Sequence, residues 1–148
     1  MASASRDGSL VYSNVASAGN HSLVFVDREG QVLERVGESV PHADNTTRSP
    51  DGRLFAVSIL DARENSVWVY DLEWDARSRL SSTGDCGGSR GQIGWSPGGT
   101  SVAFSDISSG QVLLRPVDGS VEASRLVDGQ QPTFTADGRF LIYVRVDS

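Results

Sequence analysis

Apolar residues along the chain come in short bursts set off by Gly, Asp, Asn and Ser. Examples are Leu23-Val24-Phe25-Val26, Leu54-Phe55-Ala56-Val57, Val67-Trp68-Val69-Tyr70 and Phe140-Leu141-Ile142-Tyr143-Val144. Bursts this short, rich in Val, Leu, Phe, Trp and Tyr and bounded by turn formers, predict β-strands joined by hairpins. No segment keeps apolar spacings of three and four over a helical length, so essentially no helix is expected. Several bursts are apolar on both faces, which fits a sheet covered on both sides.

Internal repetition organises these bursts. A turn signature recurs as Ser5-Arg6-Asp7-Gly8, Ser49-Pro50-Asp51-Gly52, Ser96-Pro97-Gly98-Gly99 and Thr135-Ala136-Asp137-Gly138, at spacings of 44, 47 and 39 residues. An apolar burst follows each one, and Asp-Gly supplies the positive φ of a tight hairpin. The agreement runs past the turns. At the 44-residue offset Leu23 meets Val67, Asp27 meets Asp71 and Arg35-Val36 meets Arg79-Leu80; a further 46 residues on, Arg79-Leu80 meets Arg125-Leu126. The second unit divides into expected strands at 44–48, 54–60, 66–72 and 77–81.

Four-stranded antiparallel units of about 40–50 residues, stacked face to face, describe propeller blades. The expected fold is all-β: a partial β-propeller of about three four-stranded antiparallel blades in a single repeat domain, residues 1–148. The units fall at approximately 5–42, 43–88 and 89–128, with a partial unit at 129–148. Closed propellers use roughly 4–8 blades, so the apolar faces of this stack are expected to be covered by self-association, as a homodimer. In that scheme the first unit is short of an inner strand, and segment 130–135 of a partner copy supplies it.

The patterns Ser49-Pro50-Asp51-Gly52-Arg53, Val67-Trp68-Val69-Tyr70-Asp71-Leu72 and Trp95-Ser96-Pro97 resemble the WD40-like repeats of TolB-type propellers. With Leu23-Val24-Phe25-Val26-Asp27-Arg28-Glu29-Gly30 and Ala136-Asp137-Gly138-Arg139-Phe140, they look most like the propeller modules that follow bacterial serine/threonine kinase domains. Gly98 departs from the usual Asp of the turn, and Arg48 and Phe134 stand where Trp95 stands in the third unit. The resemblance implies a bacterial protein, with an extracytoplasmic setting in a longer parent as one option. It does not specify a ligand, because a fold hosts many functions.

Charge and cysteine content narrow the function classes. Lys plus Arg is 13 against 19 for Asp plus Glu, a net charge of −6, so the chain lacks the basic footprint of a nucleic-acid or anionic-membrane binder. The apolar bursts fall far short of the roughly 20 residues that span a bilayer, and residues 1–5 show no signal-peptide pattern. The single cysteine, Cys86, excludes an internal disulfide and a thiolate metal cluster.

Candidate chemistry is sparse. Gly87-Gly88-Ser89-Arg90-Gly91 matches the nucleophile-elbow string, but no helix is expected after it, and both His21 and His42 precede Ser89. His21, His42 and Cys86 lack the local pairing of metal ligands, and the two histidines are read as surface residues. Trp68 and Trp95 are expected in the packing between blades. Trp74 falls at a hairpin where other units carry Gly30 and Gly119, which makes it a candidate exposed contact. Four residues ahead of the last three turn signatures stand the amides Asn45, Gln92 and Gln131, a candidate ring of donors and acceptors on the innermost strands; a simply polar, hydrated channel is the competing explanation. The reading is a non-enzymatic binding module for a protein or peptide, without metal or cofactor, whose candidate contacts are Asn45, Gln92, Gln131 and Trp74. The alternatives are an accessory propeller segment of a larger kinase or hydrolase, and a structural block that folds by oligomerising.

Overall fold

A computed structural model describes residues 2–4, 10–13, 20–61, 64–81, 92–145 and 147. Among the described residues there is no helix. The first sheet contains β1 (Ala2–Ala4), β2 (Leu10–Ser13), β3 (His21–Val26) and β4 (Val32–Val40). The second contains β5 (Ala43–Arg48), β6 (Leu54–Asp61), β7 (Glu64–Asp71) and β8 (Ala76–Arg79). The third contains β9 (Ile93–Trp95), β10 (Ser101–Asp106), β11 (Gln111–Pro116) and β12 (Ser124–Asp128), and a two-stranded sheet follows from β13 (Gln130–Phe134) and β14 (Leu141–Val144). Within each sheet, strands consecutive in sequence pair antiparallel. The inner strands β1, β5, β9 and β13 lie against one another in chain order. This is a stack of propeller blades, all-β as expected.

The first sheet carries its own inner strand, β1, paired with β2 from Ala2↔Tyr12 to Ala4↔Leu10. The expected vacancy for a partner's strand is therefore absent. Segment Gln130–Phe134, assigned to fill it, pairs within its own chain instead, with Phe134 opposite Leu141. Three residues suffice for this strand because β2 already runs between it and β3.

Alternation along β6 decides how the blades stack. Phe55, Val57 and Ile59 point one way and join Leu23, Val36 and Val40 of the first sheet in one core. Ala56 points the other way and joins Ile93, Trp95, Val102 and Phe104 of the third sheet in a second core, with Val67, Val69 and Leu80 beside it. Phe55, Ala56 and Val57 are all fully buried. A strand buried on both faces must be apolar at consecutive positions, which is why these bursts do not alternate. Polar ties cross the same seam: Trp95 Nε1 donates to the Thr47 carbonyl at 3.3 Å, and the Arg115 guanidinium donates to the Leu80 carbonyl. At the next seam β9 and β13 approach so closely that a Cβ on Gly94 would lie 2.7 Å from the Pro132 carbonyl oxygen.

The repeated signature builds the hairpin from inner to second strand. Ser49 Oγ donates to Asp51 Oδ1 at 2.6 Å and accepts from the Leu54 amide at 2.9 Å, while Asp51 Oδ1 also accepts from the Arg53 amide at 3.1 Å. Gly52 takes the positive φ of 80° that closes the turn. Thr135, Asp137, Gly138 and Phe140 reproduce the arrangement. In the third unit Gly98 removes the carboxylate, yet Ser96 Oγ still accepts from the Ser101 amide at 3.1 Å. The Asp51-Gly52 and Asp137-Gly138 pairs thus lie at hairpin turns, as expected.

Hydrogen bonds from Ser49 and the Arg53 amide hold the Asp51 carboxyl below its ordinary 3.8. A depressed folded-state pKa adds stability that is present above the unfolded value and lost as pH falls through the folded one. Acidification below pH 3.8 should therefore lower the urea midpoint, and Asp51→Asn should flatten that dependence. Equal acid sensitivity of the two proteins would show that the turn carboxylate contributes nothing.

Candidate functional site

The first and second sheets close tightly near the inner strands and part towards the outer ones. The shared core ends at Tyr70, only 2% exposed. Beyond it β8 reads Ala76-Arg77-Ser78-Arg79, exposed throughout, so there is no apolar surface to draw β4 and β8 together. The result is two adjoining clefts of about 290 and 420 Å3 that share Arg77. The smaller is walled by Pro41, Trp68, Glu64 and Arg79, among others, and the larger by Arg35, Glu38, Tyr70 and Asp75.

Register puts these side chains together. Trp68 pairs with Arg79 and Tyr70 with Arg77 across β7 and β8, so all four project on one face. The Arg77 guanidinium lies over the Trp68 ring, 5.1 Å from its centroid, and donates to the Tyr70 hydroxyl at 3.3 Å. That hydroxyl, with a smaller contribution from Glu38, raises the Arg77 pKa above its ordinary value. Trp68 Nε1 donates to Ser66 Oγ at 2.9 Å, which fixes the ring. Arg79 is ion-paired with Glu64. On the facing strand Gly37 adopts φ 62°, and a Cβ there would stand 2.9 Å from Tyr70 Cε1. Only glycine combines that conformation with such an approach.

The candidate residues named from sequence are spread more widely. Asn45 on β5 and Gln131 on β13 share left-handed backbone, φ 48° and 57°, each at a register shift in its sheet. Asn45 is buried at 5% exposure, whereas Gln131 is exposed and its amide donates to Ser105 Oγ at 3.0 Å. Gln92 precedes β9 and is exposed. Asn45 and Gln131 sit on inner strands and Gln92 just ahead of one, and the three differ in burial. Trp74 is 69% exposed in the turn between β7 and β8, where its amide and that of Glu73 donate to Asp71 Oδ1.

One expectation changes. His21 is buried at 5% exposure, not a surface residue: its Nδ1 accepts from the Ala43 amide at 3.2 Å, and its ring lies 4.6 Å from that of His42. Trp68 and Trp95 both pack between blades as expected, Trp95 in the second core and Trp68 half-buried against the first, where it also walls the smaller cleft. Ser89 and Cys86 lie outside the described residues. Among the described residues no group of three His, Cys, Asp or Glu side chains could hold a metal ion. The Arg77 cleft was not found from sequence, although the Val67-Trp68-Val69-Tyr70 burst beside Arg77 and Arg79 contained its parts.

No protein-family model matches the sequence, and neither does any curated protein. Solved structures do match in shape. TolB from Acinetobacter baumannii superposes with a TM-score of 0.77 at 18% identity, covering 99% of this chain and 37% of TolB. A protein assigned as TolB from Agrobacterium tumefaciens gives 0.71 at 20% identity, covering 96% of this chain and 52% of that one. A chain of Kuenenia stuttgartiensis hydrazine synthase gives 0.69 at 16% identity, covering 99% of this chain and 59% of that one. The fold is therefore that of part of a TolB-like β-propeller. The chain spans between about a third and three fifths of the length of these structures.

The closeness of Gly37 to Tyr70 yields a direct check on the cleft. Gly37→Ala should destabilise the protein by about 1–3 kcal/mol, from left-handed strain and displacement of a buried ring. Urea denaturation measures it; an unchanged midpoint would mean that the two strands adapt freely.

Proposed function

We propose that the chain is a non-catalytic interaction module for a protein or peptide, and that the cleft between its first and second blades is the recognition surface. The observation that supports this is Arg77, propped between Trp68 and Tyr70 in an open cleft without an ion-pair partner among the described residues. Trp and Arg are the side chains that concentrate binding energy at interfaces. Trp74, exposed at the end of the same hairpin, extends the surface. A mixed pool of tripeptides titrated into 15N-labelled protein should shift the Trp68 indole and Arg77 signals and leave the Trp95 indole in place. Shifts confined to Asn45, Gln92 and Gln131 would move recognition to the inner strands, and no shift at all would defeat the reading. Likeness to chains of a hydrazine synthase and of prolyl endopeptidases favours a variant in which the module is an accessory part of a larger enzyme. A kinase parent is the form that the repeat motifs suggest.

A second reading, self-association, is favoured by the last sheet. Phe140, Ile142 and Val144 are 52–59% exposed, whereas Ala56, Ser58, Ala103 and Ser105 at the positions equivalent to 142 and 144 are at most 1% exposed. Those positions face the next sheet in the stack, so this apolar face offers the same kind of contact to a second copy. Light scattering should give a mass near twice 15.8 kDa, and Ile142→Glu should return it to 15.8 kDa. A native protein that stays monomeric at high concentration would refute self-association.

A further inference from the structure

The cleft at Arg77 also indicates the chemistry of what it takes. We propose that it binds one carboxylate of an extended peptide through the Arg77 guanidinium, with an adjacent apolar side chain of the peptide resting on Trp68 and Pro41. This deepens the interaction reading above and rests on it.

The argument begins with how Arg77 is held. A guanidinium has five N–H donors, and Tyr70 takes one of them at 3.3 Å. The guanidinium carbon lies 5.1 Å from the Trp68 ring centroid, so the cation is held against an aromatic face. A carboxylate matches the guanidinium fork with two parallel hydrogen bonds. Ordering the side chain beforehand removes much of the entropy cost of binding. Its neighbours show why Arg77 is the anchor: Arg79 is occupied by Glu64, whereas Arg77 makes no ion pair among the described residues. Arg35 faces the same larger cleft from β4, so a bound anion there meets positive charge from both sheets. Glu38 and Asp75 also line it and set the limit. With two arginines and two carboxylates the larger cleft is neutral, so a bound carboxylate relies on the paired N–H groups of Arg77 itself. A run of acids would meet Glu38 and Asp75 there and Asp61 and Glu64 in the smaller cleft. Beyond Arg77, Pro41 and the Trp68 ring give the smaller cleft an apolar wall that suits the next side chain of an extended peptide.

A carboxylate can come from an acidic side chain or from a chain terminus, and three peptides separate the sources. They are Leu-Glu-Leu acetylated and amidated, Leu-Gln-Leu acetylated with a free C-terminus, and Leu-Gln-Leu acetylated and amidated. Affinity is read from the Trp68 indole and Arg77 Nε signals of the full chain. At least one carboxylate peptide should bind about tenfold more tightly than the neutral one, and the tighter of the two identifies the source. Arg77 is exposed on β8, so Arg77→Gln should leave the spectrum dispersed and bring all three peptides within about twofold of one another. Arg77→Lys, which keeps charge but loses the fork, should retain part of the preference. A neutral peptide that binds as well as the acids, or a preference that survives Arg77→Gln, would overturn the carboxylate proposal. If all three shift Trp68 equally, the peptide-binding reading stands and the carboxylate falls; if none does, both fall.

Discussion

The stack depends on the burial of β6 and β10, the second strands of the second and third sheets, on both faces. Phe55, Val57 and Ile59 fill the seam to the sheet before, and Ala56 lies in the seam to the sheet after. The size asymmetry matters as much as the apolarity. Large residues on one face and a small one on the other let a bulky inner strand, with Ile93 and Trp95, seat against the small side. The third sheet repeats the device with Val102 and Phe104 on one face and Ala103 on the other, all fully buried. Each such side chain contributes roughly 1.5–3 kcal/mol when fully removed from water, so stability sits in the seams between sheets more than within any one sheet.

The turn signature makes this stacking possible by setting parity. A one-residue slip between inner and second strands would exchange the large and small faces of a sheet and spoil both seams. Ser49 and Thr135 prevent the slip by bonding the amide five residues on, while their Asp partners bind the intervening backbone. The third turn shows which part is essential. Without a carboxylate at Gly98, the Ser96 hydroxyl still reaches Ser101 and Gly99 still closes the turn.

The Arg77 cleft arises where the packing rule lapses. Sheets in a stack of this kind diverge outward, and an outer strand with two arginines in four residues cannot fill the widening gap. What remains is an opening with an aromatic floor, fixed by Trp68 and Tyr70, and a guanidinium held at its mouth. The likeness to TolB and to chains of enzymes explains the stack without explaining the opening, because fold and site are separate inheritances. Asn45, Gln92 and Gln131 illustrate the same separation. Their shared place ahead of each turn follows from the repeat, but their burial differs because the local backbone differs.

Repeat, strand count per unit, hairpin positions and all-β class were legible in the residues themselves, because each rests on interactions within a few positions of the chain. Ser49-Pro50-Asp51-Gly52 makes its own turn, and consecutive apolar residues such as Phe55, Ala56 and Val57 already demand a sheet covered on both sides. Contacts between sheets were not legible. The tilted contact of the His21 ring with His42, the hydrogen bond from the Ala43 amide to His21, and the meeting of Gly37 with Tyr70 each join the first sheet to residues that follow it in the chain. The inner strand Ala2–Ala4 was missed for a related reason: three small residues carry no strand signal, and pairing with β2 alone makes them one. Trp68 and Arg77 lie nine positions apart in sequence, and antiparallel pairing of β7 with β8 brings ring and cation together. Local hydrogen bonding and side-chain alternation are written along the chain, whereas the distance between two stacked faces depends on every side chain in the seam at once, and only the packed structure decides it.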